Sequence, residues 1–438
     1  MKLKFWGVRG SIPAPISSQL IEEKVKSALQ EAAKQQLNLQ DSEALAGFLK
    51  SLLPQAKSTI GGNTTCITLE TEDHLIIFDA GSGMRELGRY LMKREFGKGQ
   101  GKASIFFTHT HWDHIQGFPF FMPAFIPGNQ FDIYHIHPYV PQVLQQQMVY
   151  EVYPVEFQGL RADITFHQIQ ETDVIQLGDV RISSIELQHP GKAYSFRMDS
   201  GDYSLVLATD SEYKQLGTSH TKRYIDFYQG ADILIFDAQF SVREAIIKED
   251  WGHSSGLIGA DIAKAAQVKQ LILFHHDPTS TDEEILQALK QTREYLAQYD
   301  EAALPHVEVA REGWELTFKK SKEFTIEEND LGGVLCLSLS GHFDAQASEK
   351  FNKYLLDLAK NGDNQRLILD MLGLEELTMA GVRALLDARS DVYSLAMVNV
   401  PDSIHRVIEL AGTTDFFAIY DSINDVVEAM SPPLNSPN

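Results

Sequence analysis

The sequence predicts two α/β domains, a large layered enzyme core followed by a smaller α/β sandwich. Three observations predict this class. The chain has 438 residues, more than one ordinary hydrophobic core organises. Short apolar, β-rich runs recur between residues 60 and 320, each followed by a loop rich in His, Asp or Gly. A fresh alternation of strand and helix patterns begins near Phe324, so we expect domains over residues 1–318 and 324–430.

Charge and hydropathy argue against several classes of protein. The net charge of −22 opposes sequence-independent binding to long nucleic acid. No run of about eighteen apolar residues could span a bilayer, and the first ten residues resemble a strand and not an export signal. Cys66 and Cys336 fall in different predicted domains, which gives a disulfide no support. We expect a cytoplasmic protein without a membrane segment.

The core begins with a strand and an insertion. Leu3, Phe5 and Val8 are mixed with charged residues as in a strand. Residues 16–53 contain no Pro, and their apolar residues keep helical spacing, which predicts two inserted helices. These helices add packing or, alternatively, form a lid over the site.

Further strands are predicted at 75–78, 104–107, 205–207 and 233–236. Loops at strand ends can converge while the sheets stay rigid. Polar residues that directly follow these strands are therefore candidate site residues.

The strongest chemical signal is the run Thr-His-Thr-His-Trp-Asp-His at residues 108–114, directly after an apolar strand. Alternate residues at a strand end point the same way, so His109 and His111 can share one cation. The following turn directs Asp113 and His114 to a neighbouring cation. One loop can therefore begin two adjacent metal sites.

This run resembles the H-x-H-x-D-H signature of the metallo-β-lactamase superfamily, and the resemblance extends over about residues 1–318. It implies an αββα sandwich with later ligands at further strand ends, and it implies that Asp79 supports the histidine loop without binding metal. The implied ligands are His109, His111 and His189 for one metal, Asp113, His114 and His275 for the second, and Asp210 bridging both. His276 is the alternative to His275. The turn at 61–65 is either structural or a substrate contact.

All implied ligands offer nitrogen or oxygen, which suits two Zn²⁺ ions and leaves manganese or iron open. The resemblance implies hydrolysis, in which a hydroxide that bridges the two metals attacks the substrate. The same ligand set serves the cleavage of thioesters, lactones and phosphodiesters. A thioesterase or lactonase is therefore an alternative to a phosphodiesterase.

Residues 251–256 resemble the H-S-T segment of ribonuclease Z and related phosphodiesterases, and residues 235–238 resemble their H-E-A-T strand end with Asp for Glu. The resemblance implies that His253 protonates the leaving oxygen and that Asp237 orients it, beside Asp113 as a further catalytic residue. The alternative is that this segment only caps the next helix through one of the two following serines.

The substrate is predicted from other features. Residues 6–13, the Gly-Gly-Asn-Thr-Thr-Cys turn and residues 275–278 resemble a bacterial branch described as cyclic-nucleotide phosphodiesterase-like. The sequence has no long, basic, Gly-rich insert of the kind with which ribonuclease Z grips tRNA. We therefore expect a small phosphodiester, with a cyclic nucleotide preferred.

Residues 324–430 resemble a STAS domain in three segments, 339–345, 367–370 and 377–386. Met379 stands where members of that family carry a serine that is usually phosphorylated, so switching by phosphorylation there is in doubt. The remaining roles are homodimerisation, docking of a protein partner or ligand sensing. A rival hypothesis makes the whole protein a partner-switching regulator with a hydrolase-like sensor domain. Residues 431–438, with three prolines, are predicted to be disordered.

Overall fold

A computed structural model describes residues 1–52, 54–201, 203–299, 304–318, 324–331, 334–360, 367–391 and 395–430. The chain forms two compact units, Met1–Lys319 and Lys320–Asn438. The tail predicted to be disordered, 431–438, lies outside the described residues. Among the described helices, none combines the length and apolar composition that crossing a bilayer requires.

Within its described residues, the first unit contains two seven-stranded sheets. The strands that build the first sheet, in chain order, are β1 (Lys2–Gly7), β2 (Cys66–Glu70), β3 (Leu75–Phe78), β4 (Lys102–Phe107), β5 (Gln130–His135) and β6 (Asp163–Gln168). The strands of the second sheet are β7 (Ile175–Leu177), β8 (Val180–Leu187), β9 (Ala193–Ser200), β10 (Tyr203–Ala208), β11 (Ile233–Asp237), β12 (Gln270–Phe274) and β13 (His306–Val309). A last strand, β14 (Glu315–Thr317), returns to the first sheet beside β1.

Both sheets become parallel where they approach the candidate site. In the first sheet β3, β4, β5 and β6 run parallel, and in the second sheet β10, β11, β12 and β13 do so. One hydrophobic cluster contains buried residues of both sheets, such as Phe78, Phe106 and Phe196. The loops that follow parallel strands all lie at one edge of the sheet. When two sheets share a core, two such edges lie next to each other.

Helices complete the first unit. They are α1 (Ser18–Lys34), α2 (Ser42–Ser51), α3 (Pro54–Lys57), α4 (Gly83–Leu91), α5 (Trp112–Ile115), α6 (Val140–Gln146), α7 (Thr218–Tyr228), α8 (Val242–Ile247), α9 (Gly256–Ala265) and α10 (Asp282–Leu296). Short 3₁₀ turns lie at Glu95–Lys98, Phe118–Phe120, Met122–Phe125 and Phe157–Gly159.

Helices α1 and α2 occupy the segment in which the apolar spacing predicts helices. Ser17 caps α1 by accepting from the Leu20 backbone N–H, and Asp41 caps α2. Ala32, Phe48 and Leu52 form a small hydrophobic cluster of their own. The two helices therefore share a small core that is separate from the main ones.

Arg9, just after β1, is hydrogen-bonded to two loops that are distant in sequence. Its side chain is 4% exposed and donates to the backbone oxygens of Gly61, Asp277 and Ser280 at 2.8–2.9 Å. Its Nη2 also lies 3.8 Å from Asp282 Oδ1. Burial lowers the pKa of Arg9, and the Asp282 carboxylate opposes that shift.

We expect Arg9→Met to lower the free energy of unfolding by about 3–5 kcal/mol, because it leaves three carbonyl oxygens without their donor and removes one of the two cations that face the buried Asp282 carboxylate. Urea unfolding monitored by circular dichroism measures the change. Arg181→Met is the matched control, since the exposed pair of Arg181 with Asp199 contributes about 0–1 kcal/mol. Equal stability of the two variants would contradict the role given to Arg9.

The second unit is a five-stranded sheet with helices. Its strands, which neighbour one another in chain order, are β15 (Thr325–Asp330), β16 (Leu335–Phe343), β17 (Leu367–Leu377), β18 (Leu395–Val398) and β19 (Ala418–Tyr420). Its helices are α11 (Ala345–Lys360), α12 (Met379–Asp391), α13 (Asp402–Leu410) and α14 (Ile423–Met430), with a 3₁₀ turn at Thr414–Phe416. Phe324, Phe343 and Phe351 pack against one another in its core. The predicted fold class, a large α/β sandwich followed by a smaller α/β domain, is confirmed.

Candidate metal centre

The candidate site lies where strands of the two sheets end. Asp79 follows β3, Asp210 lies two residues after β10, and His275 follows β12. All three have a left-handed backbone, with φ of 58°, 57° and 59°. Residues other than glycine rarely adopt this conformation, and it concentrates at functional sites. The chain bends sharply at each strand end, and this bend sets the direction of the side chain.

The first cluster comprises His109, His111, His189 and Asp210, whose candidate ligand atoms all lie within 4.8 Å of one another. His189 Nε2 lies 2.9 Å from His111 Nδ1. Asp210 Oδ2 lies 3.5 Å from His109 Nε2 and 3.7 Å from His189 Nε2. Three imidazoles and one carboxylate oxygen therefore surround one point.

The second cluster comprises Asp113, His114, Asp210 and His275. Asp210 Oδ1 lies 3.2 Å from His114 Nε2 and 3.3 Å from His275 Nε2. Asp113 Oδ2 lies 3.1 Å from His275 Nε2 and 3.4 Å from His114 Nε2. Asp210 thus presents one oxygen to each cluster.

These donors fit two divalent cations. His109 Nε2 is buried and makes no hydrogen bond among the described residues, although it points toward the Asp210 carboxylate. His114 Nε2 and His275 Nε2 lie only 3.2 Å apart. Nitrogen and carboxylate oxygen are donors that Zn²⁺, Mn²⁺ and Fe²⁺ accept, and a shared carboxylate suits a pair of ions.

The charges of Asp210 and His109 agree with ligand roles. Burial opposes ionisation of Asp210, yet His275, His114 and His109 hold the pKa of its carboxyl well below the usual value. Burial also lowers the pKa of the His109 imidazole well below its usual value, with His114 adding to the effect. An ionised carboxylate and a neutral imidazole are the forms that bind metal.

Partners outside the clusters orient the ligand rings. Asp79 accepts hydrogen bonds of 2.8 Å from the Thr108 backbone N–H, the Thr108 hydroxyl and His114 Nδ1. His189 Nδ1 donates to the Gly252 carbonyl at 2.8 Å, and His275 Nδ1 faces Gln239 Oε1 at 3.0 Å. Each ring therefore turns Nε2 toward the site.

Two further supporting residues, Gln239 and Ser11, are not predicted by the sequence motifs. Gln239, which holds His275, belongs to no recognisable motif. The backbone N–H of Ser11 donates to Asp113 Oδ2 at 2.7 Å, and its neighbour Gly10 leaves room for the His275 ring, which a Cβ would meet at 2.5 Å. The one local signal that could have indicated Gln239 is its position two residues after Asp237.

His276, the alternative to His275, is turned away from both clusters. Its Nε2 donates to the Ala310 carbonyl at 3.1 Å, and its side chain is buried. Burial lowers the pKa of His276 to about 3, so this ring is neutral. The structure therefore brings His275 to the second cluster and gives His276 a packing role.

His253 lies beside both clusters. Its ring centroid is 5.3 Å from that of His189 and 5.1 Å from that of His275. Its Nδ1 lies 2.8 Å from Asp237 Oδ2, and the backbone N–H groups of Ser211 and Gln239 also donate to the Asp237 carboxylate. Burial lowers the pKa of His253, but the Asp237 carboxylate overcomes this effect and raises it to about 9.

The helix-cap alternative for this segment is also realised, by the second of the two predicted serines. Ser255 caps α9 through a hydrogen bond from the Ile258 backbone N–H. The cap leaves the side chain of His253 free to face the clusters.

The turn at 61–65 is held by two side chains. Glu312 accepts hydrogen bonds from Asn63, and Ser82 is hydrogen-bonded to Thr64. Its contacts are those of a structural turn.

Gly252 is required by a close approach. Its φ is +83°, and a Cβ there would lie 2.2 Å from His189 Nδ1. We expect Gly252→Ala to displace His189 and to weaken metal binding at the first cluster by about 10- to 100-fold, the usual effect of losing a partner that orients a ligand. Metal titration followed by mass-spectrometric metal analysis measures this.

Gly201→Ala is the matched control for Gly252→Ala. Gly201 has φ +55°, so the backbone strain is comparable, but nothing lies within 4 Å of its Cβ position. Unchanged metal affinity in both variants would show that His189 is not held at a metal.

Comparisons with known proteins identify both units. Residues 74–276 match the model of the beta-lactamase superfamily domain, and residues 325–426 match that of the STAS domain. The first unit is a metallo-β-lactamase domain, a fold of metal-dependent hydrolases, and the second is a STAS domain. The relationship predicted from the motifs is confirmed.

Several known proteins are similar to part of this chain. The chain is 24% identical over 281 residues to a protein named ribonuclease Z from Nitrosopumilus maritimus, covering 55% of this chain and 91% of that protein. A ribonuclease Z from Enterococcus faecalis is 28% identical over 278 residues, covering 53% and 87%. Among solved structures, the metallo-beta-lactamase fold protein YhfI from Bacillus subtilis is 18% identical with a TM-score of 0.47, covering 72% and 98%. Human tRNase Z, short form, is 16% identical with a TM-score of 0.46, covering 73% and 100%.

Proposed function

We propose that this protein is a binuclear metal-dependent phosphodiesterase that hydrolyses a small phosphodiester. The substrate that we propose first is a cyclic nucleotide. One observation carries the proposal: the two oxygens of Asp210 face two separate clusters, and the His253–Asp237 pair lies beside both. The first feature suits hydrolysis in general, and the second suits a substrate whose leaving group needs a proton.

Each residue has a defined task in this proposal. His109, His111 and His189 hold the first cation, Asp113, His114 and His275 hold the second, and Asp210 holds both. The two cations, Zn²⁺ in our proposal, supply a nucleophile from water near neutral pH and neutralise charge on the phosphate. His253 carries a proton on Nε2 and donates it to the leaving oxygen, while Asp237 fixes the ring through Nδ1.

The acid pair favours a phosphodiester over a thioester. An alkoxide is a poor leaving group without a proton, whereas a thiolate leaves as an anion. Sequence relatives of this chain are named ribonuclease Z, and a ribonuclease cuts phosphodiesters. The net charge of −22 favours a small substrate over long RNA, because the chain as a whole repels a polyanion.

Turnover of a substrate panel tests the proposal. The full chain, loaded in turn with Zn²⁺, Mn²⁺ and Fe²⁺, is assayed on bis-p-nitrophenyl phosphate, cyclic mononucleotides, a short RNA and a thioester. We expect metal-dependent cleavage of both kinds of small phosphodiester. Faster cleavage of the RNA would make the chain a ribonuclease, and thioester turnover alone would refute the phosphodiesterase.

For the STAS unit we propose docking of a protein partner. Met379 is 62% exposed at the start of α12, in place of the serine that is usually phosphorylated. An exposed methionine at that position favours a constitutive apolar contact over a phosphate switch. Met379→Asp should abolish complex formation in cell extract without changing hydrolysis. Retained complexes would refute a contact through Met379.

A further inference from the structure

A cavity of about 610 Å³ opens beside the first metal cluster. His189 forms part of its wall, so the cavity adjoins the first cluster. Its lining also includes Glu212, Tyr213, Lys214, Tyr224 and Asp250. This volume is in the range of pockets that bind small organic ligands.

The walls of the cavity continue directly from residues of the centre. The loop after β10 carries Asp210 and then Glu212 and Lys214, and the segment before α9 carries Asp250 and then His253. The backbone N–H of Glu212 donates to the Gln188 carbonyl at 2.8 Å, which joins the loops after β8 and β10. The loops that carry the metal ligands thus also form this cavity, which places it next to the first cluster.

The cavity combines a rigid aromatic surface with a carboxylate. The Tyr213 ring stacks on Phe236 and packs edge-on against Tyr224, and both tyrosines are largely buried. Glu212 is only 6% exposed, and its carboxylate accepts the Asp250 backbone N–H at 3.2 and 3.1 Å. A carboxylate offers about four lone-pair sites, so both oxygens retain acceptor capacity for a ligand.

A cation stands at the rim of the cavity. Lys214 pairs with the exposed carboxylate of Asp250, and its own side chain is 34% exposed. Its ammonium group has three donors, so donors remain for a ligand acceptor. The cavity thus offers an acceptor pair at Glu212 and a donor at Lys214, beside aromatic rings.

We propose that this cavity binds the base of the substrate and selects guanine. The inference rests on the proposed function, because the phosphate of the same nucleotide must reach the metal clusters. Guanine presents two adjacent N–H donors, which match the two oxygens of Glu212, and a carbonyl and a ring nitrogen as acceptors for Lys214. Adenine places a ring acceptor where guanine has a donor, and uracil flanks its one donor with carbonyl oxygens, so each would face the carboxylate with a lone pair.

Binding of mononucleotides tests the proposal without depending on turnover. Guanosine and adenosine 5′-monophosphates are titrated into the metal-loaded full chain by calorimetry. We expect guanosine monophosphate to bind at least about tenfold more tightly. Glu212→Gln keeps the size of the side chain and can still accept from Asp250. It should remove or reverse this preference, because an amide pairs well with adenine.

The wild type should also show a higher kcat/KM for guanosine than for adenosine 3′,5′-cyclic monophosphate, by a similar factor. Glu212→Gln should remove or reverse this preference in turnover as it does in binding. Glu294→Gln makes the same chemical change on the exposed face of α10 and should leave both ratios as in the wild type. Equal affinity of the wild type for the two nucleotides, or a preference that survives Glu212→Gln, overturns the inference. Absence of any phosphodiester turnover would instead refute the proposed function, while the binding data would still decide the selectivity of the cavity.

Discussion

Replacing Asp210 with alanine should reduce phosphodiester turnover by at least about 10³-fold. The side chain is 2% exposed, and each of its oxygens faces a different cluster. Its removal leaves both groups of imidazoles without the anion that they share. The expected loss corresponds to several kcal/mol, the order of the stabilisation that a bound cation contributes to a charged transition state.

Metal content and turnover are measured on the same preparation of Asp210→Ala. We expect fewer than two tightly held ions per chain and loss of bis-p-nitrophenyl phosphate hydrolysis. Asp210→Asn separates charge from shape, because it keeps the volume and one acceptor but cannot bridge two cations as an anion. Asp163→Ala, at an exposed position of β6, controls for the mutation itself. Two retained ions with turnover within about fivefold of the wild type would show that Asp210 is not a shared ligand.

Much of the centre could be predicted because its residues are local in sequence. The run at 108–114 places four candidate metal ligands after one strand. Apolar strands that precede Asp210 and His275 mark both residues as candidates. The two inserted helices followed from periodicity alone, since α1 and α2 carry their apolar residues at helical spacing and begin at Ser and Asp caps.

The choice between His275 and His276 shows where sequence reasoning ends. Adjacent residues of the same type carry the same signal, and the difference between them arises from a left-handed backbone at His275. Histidine adopts a φ near +59° only rarely, and both histidines would do so equally well, so the sequence does not predict it. The surrounding packing imposes it.

The supporting contacts were missed for a related reason. Gln239 lies 36 residues before His275, and Ser11 lies 102 residues before Asp113. Such pairs meet only after both sheets have formed, and no spacing rule connects them. The same holds for the cavity around Glu212, whose walls come from four separate segments of the chain.

Replacing His253 with alanine should reduce turnover of a cyclic nucleotide by about 10²- to 10⁴-fold, the usual contribution of a general acid. The ring lies about 5 Å from those of His189 and His275 and is fixed by Asp237. An alkoxide must be protonated as it leaves, whereas a nitrophenolate is a stable anion near neutral pH. Hydrolysis of bis-p-nitrophenyl phosphate by the same variant should therefore fall far less.

The contrast between the two substrates distinguishes proton donation from a structural role. Ser255→Ala removes the cap of α9 and should cost about 1 kcal/mol of stability while leaving the ratio of the two activities unchanged. Asp237→Asn keeps the ring in reach but takes away the carboxylate, and it should lower turnover of the cyclic nucleotide in the same selective way. If His253→Ala instead slowed both substrates equally, the imidazole would serve to shape the centre, and the proton for the leaving oxygen would have to come from another group.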